Sequence, residues 1–185
     1  MRRTFEEDLE RAVAYHGHLC GGQVIGTRMA RLALAHFGIE AGEDYRDLVV
    51  MVEADRCLAD AMVSVAGCGV GRRRLKLYDY GKMAATFYDI ATGRAVRVCS
   101  INEARPEEGE DLVAFYQAIP DDRMFAVKAV EVDLGPFDLP GKPLRRVRCE
   151  ACGETVMDGR DKEVAGRTLC KVCAGEPAYY REVEL

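Results

Sequence analysis

The sequence has no tryptophan, only three histidines and six prolines, and no stretch near the ~20 apolar residues needed to cross a bilayer. That missing run argues against a helical membrane protein. The opening MRRTFEEDLER is charged where a secretory signal would be apolar, so a cytoplasmic protein is expected, with no membrane partner. Net positive charge is lacking too: 26 Lys and Arg face 31 Asp and Glu, a balance of −5. A protein that grips nucleic acid through its phosphates would have the opposite balance. Proline is scarce but clustered, three of the six falling in GPFDLPGKPL at 135–144. This stretch predicts a boundary between a domain over 1–140 and a smaller one over 145–185.

What is present suffices for a core, with 49% hydrophobic and 31% charged residues in a chain of 185. Thr4 and Glu7 form a capping-box pattern ahead of Phe5, Leu9 and Val13, predicting a helix to about Tyr15. HGHLCGG reads as a glycine-rich loop, followed by a second helix from about Gln23 to Phe37 with Gly38 as its stop. LVVMVEA at 48–54 predicts a buried strand, and Asp55 is placed to cap a helix over 56–66. LKLYDY, AATFYDI, AVRVCSI and MFAVKAVEVDL are strand candidates, the second and third joined by a turn at Ala91–Arg94. GEDLVAFYQAI predicts one more helix. The pattern is α+β, a mixed helix and sheet core followed by a small metal-stabilised unit.

Cysteine carries the clearest chemistry. Cys149 and Cys152, then Cys170 and Cys173, are two CxxC pairs seventeen residues apart, the spacing of a closed four-thiolate zinc site. Disulfides or free thiols are the competing reading, disfavoured in a reducing compartment. The pattern resembles treble-clef zinc fingers, including those of certain bacterial transcription regulators, and that resemblance implies a helix after the second pair. The acidic excess lies wholly before Arg145, so the balanced charge of the finger favours a protein partner over nucleic acid.

A second constellation lies near the N-terminus. His16, His18 and Cys20 alternate, so an extended segment would aim all three one way. Cys20 precedes a helix, whose positive end favours thiolate. Cys57 begins the next helix, with Asp60 three residues on and on the same face. His16, His18 and Cys20 with Cys57 or Asp60 would suit a second, divalent metal, with an open position if one of them does not bind. Asp60 would orient a ligand or relay a proton. Cys68 lies eleven residues beyond Cys57, about 16 Å along a straight helix, and cannot share that ion within one chain. The bland readings are a solvated histidine pair and small buried cysteines at Cys57 and Cys99, with His36 structural. Arg72–Arg74, after Gly69 and Gly71, is either an anion clamp or a solvated face.

HGHLCGGQVIGTRMA at 16–30, EADRCLADAMVSVAGCGVG at 53–71 and LYDYGKMAATF at 77–87 occur in the order seen in the E-subunit family of formylmethanofuran dehydrogenase, which the chain resembles nearly throughout. The resemblance implies a homodimeric α+β core whose cleft is lined by His16, His18, Cys20, Cys57 and Asp60, with Cys68 and Lys82 as ligand-binding candidates. It also implies association with the molybdenum or tungsten oxidoreductase that fixes carbon dioxide onto methanofuran, and hence with methanogenesis-related one-carbon metabolism. Gly21 stands where the family usually has proline, and Gly71–Arg74 replaces a GKGN-like segment. The alternative is a non-catalytic accessory or regulatory protein that binds a metal or small ligand in its core and docks a protein through its finger.

Overall fold

The computed structural model describes residues 3–184. The chain divides into two compact units, Met1–Asp133 and Leu134–Leu185.

In the first unit, helices α1 (Phe5–His16), α2 (Gly21–Phe37) and α3 (Cys57–Ala66) pack on one another. They cover a five-stranded sheet of β1 (Leu48–Val52), β2 (Leu75–Leu77), β3 (Ala84–Asp89), β4 (Ala95–Ser100) and β5 (Phe125–Val130), in the order β2-β1-β3-β4-β5. β1, α3 and β2 make a βαβ unit with a parallel pairing, and the remaining pairings are antiparallel. Two short helices, α4 (Leu112–Ala118) and α5 (Asp121–Met124), precede β5. Val24, Met29, Leu58, Met62, Val50 and Phe87 are among the fully buried side chains joining helices to sheet. No helix among the described residues is long and apolar enough to cross a membrane.

Local signals explain most elements. The Thr4 and Glu7 capping box forms, and Gly17 ends α1 in the left-handed region. Asp111 caps α4 by accepting from the Val113 and Ala114 amides. The hairpin after β3 closes through Asp89, whose carboxylate accepts from Tyr45 Oη, Thr92 Oγ1 and the Ala91 amide. Burial alone would raise the pKa of Asp89, but these bonds hold it below its ordinary value.

Three expectations are revised. α2 starts at Gly21, because its glycines serve close packing: a Cβ at Gly26 would lie 2.6 Å from Ala61 Cβ on α3. Asp55 does not cap α3, whose N-cap is Arg56 with no side-chain bond. LKLYDY yields a strand of three residues, since Tyr80 and Lys82 both donate their amides to the Glu53 carbonyl and Gly81 turns the chain at φ +65°.

The second unit holds two hairpins, β6 (Arg146–Arg148) with β7 (Thr155–Met157) and β8 (Asp161–Val164) with β9 (Arg167–Cys170). The proline-rich stretch is bound within it: Arg160 donates to the Phe137 carbonyl and Asp138, and the Phe137 ring sits 2.7 Å from where a Gly159 Cβ would be.

Glu53 anchors the sheet face of the first unit through a two-bond ion pair with Arg97, at 2.6 and 2.7 Å. The guanidinium holds the carboxyl below its ordinary 4.5. This contribution is therefore complete above pH 4.5 and is lost as pH falls through the depressed value. Replacing the nearly buried carboxylate (E53Q) should cost about 3 kcal/mol at neutral pH in urea unfolding. The deficit relative to the unsubstituted protein should narrow as the pH is lowered below 4.5.

Candidate metal centre

Two groups of side chains, one in each unit, are arranged to hold an ion. In the first unit His16, Cys20 and Cys57 place one ligand atom each within 4.8 Å of one another. His16 is the last residue of α1, Cys20 is the N-cap of α2 and Cys57 is the first residue of α3. Neither the N-cap Cys20 nor the N-cap Arg56 makes a side-chain cap bond. Both cysteines thus stand at the positive ends of helices that no oxygen side chain has capped.

The approach of α2 and α3 creates this meeting. A Cβ at Gly22 would fall 2.7 Å from Cys57 Cβ, 3.3 Å from Cys57 Sγ and 3.7 Å from Cys20 Sγ. Any side chain there would push the two sulfurs apart. Buried Gln23, one residue on, ties the elements by donating to the Cys57 carbonyl at 2.7 Å. Burial raises the Cys57 thiol above its ordinary value, and the Cys20 sulfur adds to the effect. A bound divalent cation would reverse that preference by favouring the thiolate.

His16 is held from the far side. Its Nδ1 lies 2.7 Å from Asp60 Oδ2, while its Nε2 is buried and has no hydrogen-bond partner. With Nδ1–H donating to this carboxylate, the lone pair lies on Nε2, the tautomer that a metal-ligating histidine needs. Asp60, on the α3 face expected from its spacing, is about two-fifths exposed and so reaches solvent. The donor set of one imidazole and two sulfurs fits a zinc-class ion, with one tetrahedral position left over.

His18 does not follow the alternation expected of an extended segment. Gly17, at φ +97°, turns the chain between the histidines, and the His18 ring lies against His16, with centroids 4.6 Å apart, instead of supplying a third direction of attack. It is exposed. Cys68 is fully buried elsewhere, its sulfur directed to the Leu48 and Ala66 carbonyls, and burial pushes its thiol up to about 11. Lys82 is exposed over the Tyr80 ring at 5.8 Å. The structure brings neither into the cluster. Gly22 and Gln23 are the residues that reading the sequence missed, and the Gly22-x-x-x-Gly26 spacing was their signal.

In the second unit Cys149, Cys152, Cys170 and Cys173 form the other group, again within 4.8 Å. Amide hydrogen bonds from Cys152 and Cys170 draw the Cys149 thiol down to about 6. Cys173, bonded to Cys170 and partly desolvated, is pushed up to about 12. Four thiols this close cannot all ionise without a cation, and they fit a tetrahedral thiolate site. After Cys170 the chain makes one helical turn, with Ala174 N donating to the Cys170 carbonyl, where a longer helix was expected.

Comparison with known proteins finds a family match in each unit. Residues 15–126 match the family described as FmdE, molybdenum formylmethanofuran dehydrogenase operon. The chain belongs to the FmdE family. Residues 142–177 match the prokaryotic dksA/traR C4-type zinc finger, which covers all four cysteines of the second group. A probable S-adenosyl-L-methionine-binding protein of Archaeoglobus fulgidus is 30% identical over 95% of this chain, which spans about half (54%) of that relative's length. The crystal structure of a tungsten formylmethanofuran dehydrogenase FmdE-like protein from Syntrophus aciditrophicus shares the fold. It has a TM-score of 0.60, 22% identity and 96% coverage of both chains.

The described residues of the second unit bury few side chains, chiefly Cys149, Asp158 and Leu169, so its hairpins depend on the ion. Stripping the full chain with a chelator should release about one zinc from this site. Proteolysis should then cut at Lys162 and Arg167 while the first unit stays intact. The same pattern is expected for C152S/C173S without chelator.

Proposed function

We propose that this FmdE-family protein holds a second divalent ion at His16, Cys20 and Cys57. The remaining position of that ion would take a small substrate of one-carbon (carbon dioxide or formyl) or redox-linked metabolism. The observation that carries this reading is the buried, unpartnered His16 Nε2 within the sulfur cluster, its ring fixed from behind by Asp60. A bound ion would supply Lewis-acid polarisation of a carbonyl oxygen or activation of a water.

The chain's own residues do the rest. Asp60 keeps the Nδ1 proton in place and, being partly exposed, can pass a proton to solvent. His18, exposed beside His16, presents a second imidazole on the solvent side of the cluster. Gly22 leaves the space between the sulfurs open, and Gln23 holds Cys57 at the start of α3. In this reading the protein works in the cytoplasm as a homodimer, beside or within a molybdenum or tungsten oxidoreductase, and its finger contacts a protein partner.

Cobalt uptake by C152S/C173S, which removes the competing finger site, tests the centre. Thiolate-to-cobalt charge-transfer absorption should appear and should disappear in the additional variant C20S/C57S. D60N should weaken the affinity about tenfold to a hundredfold by releasing the imidazole. Absence of cobalt absorption from C152S/C173S with its first unit folded would overturn the reading.

The name of the Archaeoglobus fulgidus relative, a probable S-adenosyl-L-methionine-binding protein, favours a second reading, in which the core is a non-catalytic ligand-binding module and the finger docks its partner. S-adenosyl-L-methionine titrated into the full chain should give a heat of binding under this reading and none under the first.

A further inference from the structure

The arginine run at 72–74 has no part in either cysteine cluster, and the fold separates its members. Arg74 is buried and donates to the Tyr45 carbonyl at 2.7 Å and the Gly67 carbonyl at 2.6 Å. Arg73 ends the 3-10 turn Val70–Arg72 in the left-handed region, at φ 61°. Arg72 is exposed and lines a cavity of about 810 Å³ in the first unit. This is large enough for a small organic ligand, and it is lined by none of the metal-centre residues.

Its walls come from separate parts of the chain: Arg3 ahead of α1, the second half of α1, the turn at 42–44, the end of α3 and the loop at 67–74. Four arginines reach it, and two of them have structural duties. Arg74 is held as above, and Arg3 pairs with Asp8 at 2.6 Å and donates to the Val65 carbonyl at 3.1 Å. Arg11 and Arg72 are exposed, and among the described residues neither side chain makes a hydrogen bond or a close ion pair. Asp44 feels the charge of Arg72, but its carboxylate is bonded to Arg46 at 2.9 and 3.0 Å. Glu43 similarly accepts the Glu40 amide. Two guanidinium groups thus line the hollow with no carboxylate hydrogen-bonded to either of them among the described residues.

Part of the remaining wall is glycine backbone. A Cβ built at Gly67, Gly69 or Gly71 would meet nothing within 4 Å, so these glycines leave room beside the arginines. Tyr15 follows Arg11 by four residues, which puts both on one face of α1, and it lines the cavity with 60% of the residue exposed. Glu43 and Asp44 in the lining, together with the chain's net −5, would repel an extended polyanion. A small anion would escape that repulsion.

We propose that this cavity binds a phosphorylated small molecule, its phosphate between Arg11 and Arg72 and a planar part against Tyr15. Guanidinium groups match phosphate oxygens in pairs, and an aromatic face beside them suits a ring such as a nucleobase.

Calorimetry on the full chain tests this with three probes: inorganic phosphate, AMP and succinate. Phosphate and AMP should bind with a dissociation constant of about 1 mM or lower, AMP more tightly, and both should weaken as salt is raised. R11A/R72A should weaken both about tenfold or more while the melting temperature is unchanged, because neither side chain holds the fold together. Y15A should weaken AMP and leave phosphate unaltered. The proposal is overturned if neither phosphate nor AMP binds, or if R11A/R72A binds them as the natural chain does. Succinate binding as tightly as phosphate would overturn the phosphate assignment, and an AMP affinity unaffected by Y15A would overturn the role of Tyr15.

Discussion

The close approach of α2 to α3 is the constraint on which the first unit depends. Gly26 meets Ala61 and Gly22 meets Cys57 at distances no side chain would permit. Along α3, Cys57, Asp60 and Ala61 share one face, so one packing event sets the thiol, the carboxylate and the helix contact together. Bringing the helices this close makes their uncapped N-termini neighbours, and the two cysteines occupy those ends. The end of α1 then adds His16, with Asp60 as its support.

The two metal-ligand groups solve the same problem by opposite means. In the first unit the candidate ligand atoms sit at the ends of helices that already bury Leu58, Met62, Val24 and Met29, a packed scaffold that supplies a core with no contribution from an ion. In the second unit the hairpins bury little, and the four cysteines close the site. An ion there contributes folding energy and leaves no position for substrate. The difference is one of scaffold, since cysteine supplies most of the ligands in both.

Much of this was readable in the linear chain. The capping box at Thr4, the stop at Gly38, the strands around the Ala91–Arg94 turn and the two CxxC pairs are local signals that act within a few residues. The less legible features depend on contacts between distant segments. Glycines at 21 and 22 look like loop residues until α3 and the Tyr116 ring are placed beside them. LKLYDY alternates well enough for a longer strand, but the Glu53 carbonyl captures two amides beyond Leu77 and ends it.

The sequence by itself determined which residues could ligate, where most helices and strands lie, and that the four C-terminal cysteines act together, because short-range spacing carries all three. Only the tertiary structure decided that His16, Cys20 and Cys57 converge while His18 turns aside, that Cys68 is sealed in the core, and that Arg72 faces a hollow while Arg74 is buried. The placements of the histidines, the two sulfurs and the arginines depend on one backbone turn or one helix crossing each, at Gly17, at Gly22 and Gly26, and at the 3-10 turn before Arg73. A direction set by such a turn is fixed by what packs against it from elsewhere in the chain.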